Sequence, residues 1–362
     1  MMMAGKQKAG DGSLQVQAGI INIGIDEKRV CEIVDEKLRI ALQYFSEEAN
    51  QTALRRNKYF SNNLVERMTA EGALSVFADP SFQLLLIEAQ KRAASTERES
   101  DYALLSELML HRFKKGSNRN VKASISRAVE IVDQISDEAL LGLTVLHATA
   151  FMPVSGQITQ GLDALDSLFG RLIYSDLPTD NDWIDHLEIL DTIRVFSFGN
   201  MEQLEDHWMS NLEGYNVGGL GKNSEEYKDA LIKLRAVGIN EDSIFIEHEL
   251  NAENVRLKVV NKDQIKDLSV TSIISTKDGE TLYHREKVSD EQKKALEEVY
   301  DITNKTKIDK RIFIDDLEKR SNLKLLKEWL NGIHQALQIT GVGKVLAHSN
   351  AQRIDKTLPP LD

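Results

Sequence analysis

Residues 139–154 read ALLGLTVLHATAFMPV, the longest apolar run in the chain. A membrane-crossing helix needs roughly 20 predominantly apolar residues. This run is shorter, and Gly142, Thr144, His147 and Pro153 interrupt it. It is therefore read as the core face of a buried helix, Asp137 to Phe151. Its neighbours agree. From Ala73 to about Gly238 the chain reads as consecutive helices, over Val121–Ile135, Gln160–Tyr174, Asp182–Val195 and Ser224–Val237 as well. Asp79-Pro80 is a helix cap followed by proline at the first helical position. Thr96 with Glu99 has the spacing of a capping box. No fixed-period repeat is visible, which points to a multi-helix bundle or array rather than a solenoid.

The pattern breaks at both ends of this helical body. In Leu14–Ile25 (LQVQAGIINIGI), Val16, Ala18 and Ile20 alternate with Gln15, Gln17 and Gly19, the period of a strand. The phase then changes at Ile20-Ile21, as a bulge would make it. Asp26 is placed to cap a long helix whose apolar face carries Val30, Ile33, Val34, Leu38, Ala41, Leu42 and Phe45, and helical residues continue through Leu64 and Met68 with a polar interruption around Asn50–Asn57. After Ile239, short β-branched segments follow at Ser243–Glu247, Val255–Val260, Ser269–Ser275 and Thr281–Val288, with Asp278-Gly279 as a hairpin turn. Ser289 with Gln292 then caps a further helix.

The expected fold is mainly α, with an N-terminal strand and a small C-terminal α+β region that has a winged-helix-like end. The segments are a tail at 1–13, a strand-plus-helix oligomerisation element at 14–72, a helical body at 73–238, the small α+β region at 239–304 and a basic module at 305–362.

The 362 residues carry a formal net charge of −12, with 41% hydrophobic and 28% charged residues. This is the composition of a globular protein, and the charge argues against a protein that coats nucleic acid. The single cysteine, Cys31, rules out an intramolecular disulfide. With no signal-peptide pattern at the start, the expectation is a cytoplasmic protein without membrane association.

Motifs for chemistry fail one by one. Gly218-Gly219-Leu220-Gly221-Lys222 and Gly341-Val342-Gly343-Lys344 resemble phosphate loops. A Walker loop, however, needs a further upstream glycine and Ser or Thr after the lysine. The first has Asn216 and Asn223 at those places, and the second has Gln338 and Val345. Both are read as helix-start turns. No His-x3-His or HExxH pair offers metal ligands on one helical face. Asp185-His186 with Glu188 and Asp191, and Glu205-Asp206-His207, read as solvated acidic faces. His147, among Leu143, Leu146 and Phe151, reads as a satisfied core histidine. Cys31 sits on the polar flank of the first helix, where no reactive thiolate is expected. The candidate acid–base pair is Glu107 with His111, four residues apart on one helix. No cofactor and no metal site are expected.

Two segments carry information about partners. A lone apolar strand must satisfy its backbone elsewhere, either by joining the strands of residues 243–288 or by pairing with other copies; the second is favoured, which makes Val16, Ile20, Ile21 and Ile23 the expected oligomerisation residues. Lys305–Lys356 holds eleven Lys/Arg against six Asp/Glu, about +5, while the remainder carries about −17. If this module bound DNA, Lys324, Lys327, Lys344 and Arg353 would carry the contact. Nucleic acid is not the favoured partner, and a partner protein remains open.

Gln15-Val16-Gln17-Ala18-Gly19, followed by an apolar strand and Gly24-Ile25, resembles a short leader found on bacterial proteins linked to mobile elements and phage defence. Ala78-Asp79-Pro80-Ser81-Phe82-Gln83, Glu97–Arg112, Pro153-Val154-Ser155-Gly156 and Ile339–Ala347 resemble an uncharacterised bacterial family carrying that leader, over most of residues 14–353. The resemblance implies a defence or stress-response setting and no catalytic residues. The leading expectation is a non-enzymatic, homo-oligomeric sensor or adaptor. The alternatives are a hydrolase or nuclease built on Glu107 and His111, and a DNA-binding regulator acting through the C-terminal module.

Overall fold

A computed structural model describes residues 26–42, 46–115, 118–151, 158–212, 216–259, 261–275 and 281–361. The chain is mainly helical and forms two compact units, Met1–Lys114 and Lys115–Asp362. The boundary falls at the end of the helix that bears Glu107 and His111, not at 72/73 as the sequence suggested. The leader residues Val16, Ile20, Ile21 and Ile23 lie outside the described residues, as does Pro153-Val154-Ser155-Gly156.

In the first unit, Asp26 does cap α1 (Glu27–Ala41), its carboxylate accepting from the Arg29 backbone N–H at 2.8 Å. The first helix ends at Ala41 and α2 (Glu47–Ala70) begins anew, so the break falls earlier than the polar interruption expected around Asn50–Asn57. Asp79 caps α3 (Pro80–Ser95), and α4 (Glu99–Lys114) follows. Phe60, Leu64 and Met68 of α2 are fully buried, with Phe82, Leu86, Leu105 and Leu108 of α3 and α4. Burial of such side chains contributes roughly 1.5–3 kcal/mol each, which is what holds these helices together. At the start of α4, Thr96 does not form the expected capping box. Its hydroxyl oxygen accepts from the Arg98 N–H and donates to buried Asp101 at 2.5 Å.

The second unit opens with α5 (Arg119–Ile131), α6 (Asp137–Ala148), α7 (Ile158–Leu172) and α8 (Asp182–Ile189). The helix expected to reach Val195 stops six residues short. Asp191 takes a positive φ of 57°, and the chain leaves as strand β1 (Ile193–Phe196). Positive φ is strained for a residue with a side chain, although Asp tolerates it better than most.

After α9 (Leu204–Asn211) comes the α+β part: β2 (Leu220–Gly221), α10 (Glu225–Ala236), α11 (Glu241–Ile244), β3 (Phe245–His248) and β4 (Asn251–Leu257), then β5 (Ser269–Ser275), β6 (Thr281–Lys287) and α12 (Asp290–Thr303). One sheet has the order β2-β4-β3, and β5 and β6 pair antiparallel from Ser269↔Lys287 to Ser275↔Thr281. Leu220, Leu234, Val255, Leu257, Leu296 and Val299 share one core, so this region starts before residue 239 and includes α10.

The chain closes with α13 (Lys310–Leu317), α14 (Ser321–Asn331), β7 (Ala336–Ile339) and α15 (Gly341–Ile354). A winged helix would need β7 in a local hairpin. Instead β7 pairs antiparallel with β1, Ile193↔Ile339 to Phe196↔Ala336, across more than a hundred residues of chain. Residues 305–362 are thus woven into the second unit. Helix α15 packs on α5 and α6 and is buried on almost every side from Val345 to Gln352.

Candidate functional site

The geometry that stands out begins with α15. Thr340 caps it, its hydroxyl oxygen accepting from Gly343 N–H at 3.1 Å, while Thr340 N–H donates to Thr192 O at 3.0 Å. A Cβ on Gly343 would sit 2.0 Å from the Thr192 carbonyl oxygen, a clash no side chain can relieve. The Gly-Val-Gly-Lys sequence is therefore a close-approach helix start, and no phosphate loop. Buried Asn350 then donates to Thr144 Oγ1 on α6 at 2.9 Å, fixing the rotation of α15.

That rotation brings His348, 3% exposed, against His147 of α6. His348 Nε2 lies 2.9 Å from the Pro359 carbonyl oxygen, which can only accept. His348 Nε2 therefore carries the proton, and its Nδ1 is the acceptor when the ring is neutral. With His348 neutral, His147 Nε2–H donates to that Nδ1 at 3.2 Å, and His147 Nδ1 is the unprotonated nitrogen. Phe151 sets its ring edge-on to both imidazoles, at 5.2 and 5.7 Å between centroids. Burial, reinforced by His348 and Lys344, pushes the His147 pKa down to about 4. Near neutral pH His147 is uncharged.

The pair lines a cavity of about 690 Å³ walled by α6, Leu165 and Leu168 of α7, Lys344 of α15 and the segment after α15. That segment is tied down at two points. Asp355 accepts from Arg171 of α7 at 2.7 and 3.0 Å and from the Thr357 hydroxyl at 2.6 Å. Gln352 Nε2 donates to the carbonyls of Leu358 and Pro359. Burial raises the Asp355 pKa, but the Thr357 and Arg171 bonds outweigh it and hold the carboxyl below its ordinary range. Lys344 is exposed and makes no ion pair among the described residues.

The residues singled out from sequence fall elsewhere. Glu107 is 1% exposed, but its two oxygens face Arg67, at 2.8 Å to Nε and 3.3 Å to a terminal nitrogen. Arg67 also pairs with Glu71. Glu107 is the buried half of an ion pair, and burial with a fixed cation suits architecture better than proton transfer. His111 is buried on the same helix.

Of the four basic residues, Lys327 donates to Glu318 at 2.6 Å, Arg353 donates to Asn350 at 2.9 Å, and Lys324 lies 4.0 Å from Glu328. Only Lys344 reaches the cavity. Around Gly218–Lys222, Gly219 has φ +72° and its Cβ would lie 2.5 Å from Val255 O, while Leu220-Gly221 pairs with Val255 and Asn254. The acidic faces are divided among neighbours: Asp206 with Lys310, His207 with Glu202, and Glu205 with Asn331. Among the described residues no three His, Cys, Asp or Glu converge as a metal site. No helix among them is long and apolar enough to cross a membrane.

Sequence reasoning singled out His147 and missed His348, Arg171 and Asp355. The one available signal for His348 was the helical run Val345–Arg353, in which polar His348, Asn350 and Gln352 sit among small and apolar residues on all sides. That pattern marks a buried helix whose polar groups need partners.

Fold and site together define a mainly helical protein of two compact units, the second holding a half-enclosed cavity beside an imidazole pair. A family model matches residues 24–358, nearly the whole chain, and the protein belongs to that uncharacterised family. No curated protein and no solved structure matches it significantly.

Proposed function

We propose that this protein is a sensor or adaptor with no reaction of its own, and that its second unit binds a small amphiphilic monoanion in the cavity beside His147 and His348. The carrying observation is the His147–His348 pair on the wall of a largely apolar cavity with Lys344 at its edge. Arg171 and Asp355 cancel each other in charge. With His147 neutral, the positive charge that Lys344 supplies at the cavity edge matches a carboxylate or similar head group. Phe151, Leu165, Leu168 and Leu358 suit an apolar body. His147 Nδ1 is an available acceptor. The segment after α15 forms one wall, so occupancy alters its ties to Arg171, His348 and Gln352, and that coupling is what would make the site a sensor. The defence or stress-response setting is supported only by the resemblance of the leader and central segments.

Calorimetric titration of the full chain with octanoate, against uncharged 1-octanol, tests this reading. Saturable octanoate binding is expected, weaker binding of the alcohol, and a several-fold loss of octanoate affinity in Lys344→Ala. Equal affinity for acid and alcohol, or no saturable binding of octanoate, would sink it.

A further inference from the structure

The first unit carries a second concavity, unrelated to the imidazole cavity. A groove of about 960 Å³ runs between α1 and α2, with Val34, Leu38, Leu54 and Val65 along its floor and Cys31 on its rim. A smaller hollow of about 510 Å³ continues it to Leu42, sharing Asp35, Leu38 and Leu54. The two together follow α1 from Glu27 almost to its end. Leu54 is 49% exposed there, an apolar surface on a helix whose opposite face already supplies the core.

We propose that this groove seats the chain's own Leu14–Ile25. Three observations favour this occupant. The first is position. Asp26, the residue that caps α1, directly follows Ile25, and the first wall residue of the groove is Glu27. The segment is therefore tethered at the groove's mouth, and a short tether corresponds to an effective concentration in the millimolar range.

The second is reach. Helix α1 with its 15 residues spans about 22 Å, at 1.5 Å per residue. Twelve residues can extend to about 40 Å, enough to turn at Gly24 and still follow the whole groove. Glycine permits such a reversal because it lacks a Cβ.

The third is chemistry. Leu14–Ile25 has no charged residue, and seven of its twelve residues are Leu, Val, Ala or Ile. Glu27, Asp35 and Glu66 also line the groove, and carboxylates are acceptors of the kind that side-chain amides such as those of Gln15, Gln17 and Asn22 require. The apolar residues that looked, in sequence, like an oligomerisation strand thereby find cover within their own subunit.

Cys31, the only cysteine, is a built-in reporter. In the full chain, Ile20→Asp with Ile23→Asp is expected to speed modification of Cys31 by a thiol reagent several-fold, because an acidic segment will not stay on an apolar floor. An unchanged rate overturns the proposal. A second experiment places Val16→Cys with Leu54→Cys in a Cys31→Ser chain, and compares it with Val16→Cys plus Tyr59→Cys, Tyr59 being exposed on α2 but outside the groove. Under mild oxidation, a within-chain disulfide is expected to form several-fold faster at Leu54 than at Tyr59. Equal rates, or linkage only between two chains, would overturn docking in the same subunit; the second result would assign the groove to the leader of another copy. Neither experiment touches the octanoate site, so the two propositions stand or fall separately.

Discussion

Each unit contains a pair of ionisable side chains brought together across helices, and the two pairs are built on opposite terms. In the first unit Glu107 is buried and held by the Arg67 guanidinium at 2.8 Å. In the second, His147 is kept neutral beside His348, with burial pushing His147 to about 4. A buried charge must be compensated where it sits, so the first pair is committed to architecture. A neutral imidazole needs only hydrogen bonds, and among the described residues the second ring nitrogen of His147 is left for the cavity. Density of ionisable residues in a sequence therefore marks the first kind of place more readily than the second.

The largest effect that can break this comparison is on the first pair. Arg67→Ala leaves the Glu107 carboxylate without its guanidinium, and the expected loss is about 4 kcal/mol in chemical denaturation. A loss well under 1 kcal/mol would mean that Glu107 is not a structural charge.

The second pair is tested by pH. The folded His147 pKa of about 4 lies below the ordinary value of 6.5, so between those limits the unfolded chain binds more protons. Stability therefore rises with pH through this window and is lost as pH falls from 6.5 towards 4, by up to about 3 kcal/mol. His147→Gln should flatten that slope, and a slope equal to the parent's would contradict a neutral, buried His147. An anionic ligand beside His147 favours its protonated form, so octanoate binding below pH 6.5 should be accompanied by proton uptake, measurable by calorimetry in buffers of differing ionisation enthalpy.

Two smaller effects concern how the imidazoles are positioned. Gly343→Ala ought to stabilise a helix by propensity alone. Here its Cβ meets the Thr192 carbonyl, and a net loss of about 2 kcal/mol is expected from displaced backbone. A gain in melting temperature would show that α15 and β1 do not approach as described. Asp355→Asn removes the ion pair with Arg171, itself 47% exposed, so about 1 kcal/mol at most is at stake. Its clearer readout is faster amide exchange over residues 355–361 with the rest of the second unit unchanged.

Much of the helical content was legible because core-facing residues recur at helical spacing whatever they pack against. Asp26, Asp79 and Ser289 were recognisable as caps for the same local reason: each side chain satisfies a backbone N–H three residues on. What failed was pairing at a distance. Val195 was assigned to a helix because nothing near it announces β7, its partner through Leu337. The winged-helix expectation failed for the matching reason, since Ala336–Ile339 has strand character but its sequence does not say which strand it will join. Thr96 departed from the capping box because it closes α3, its N–H donating to Arg92 O, and its hydroxyl oxygen accepts from Arg98 N–H.

By itself the sequence determined the mainly helical class, the sites of the α+β strands after residue 239, the absence of an intramolecular disulfide and the failure of both glycine-rich stretches as phosphate loops. These follow from local rules, in which a residue's neighbours within one or two turns decide the outcome. Only the tertiary structure decided that Glu107 belongs to Arg67 and that His147 belongs to His348, 201 residues away. Hydrogen bonds and ion pairs act over about 3 Å, and which groups come within that range is set by helix packing. Here that packing turns on one close approach, Gly343 against Thr192, which seats α15 and with it the second imidazole.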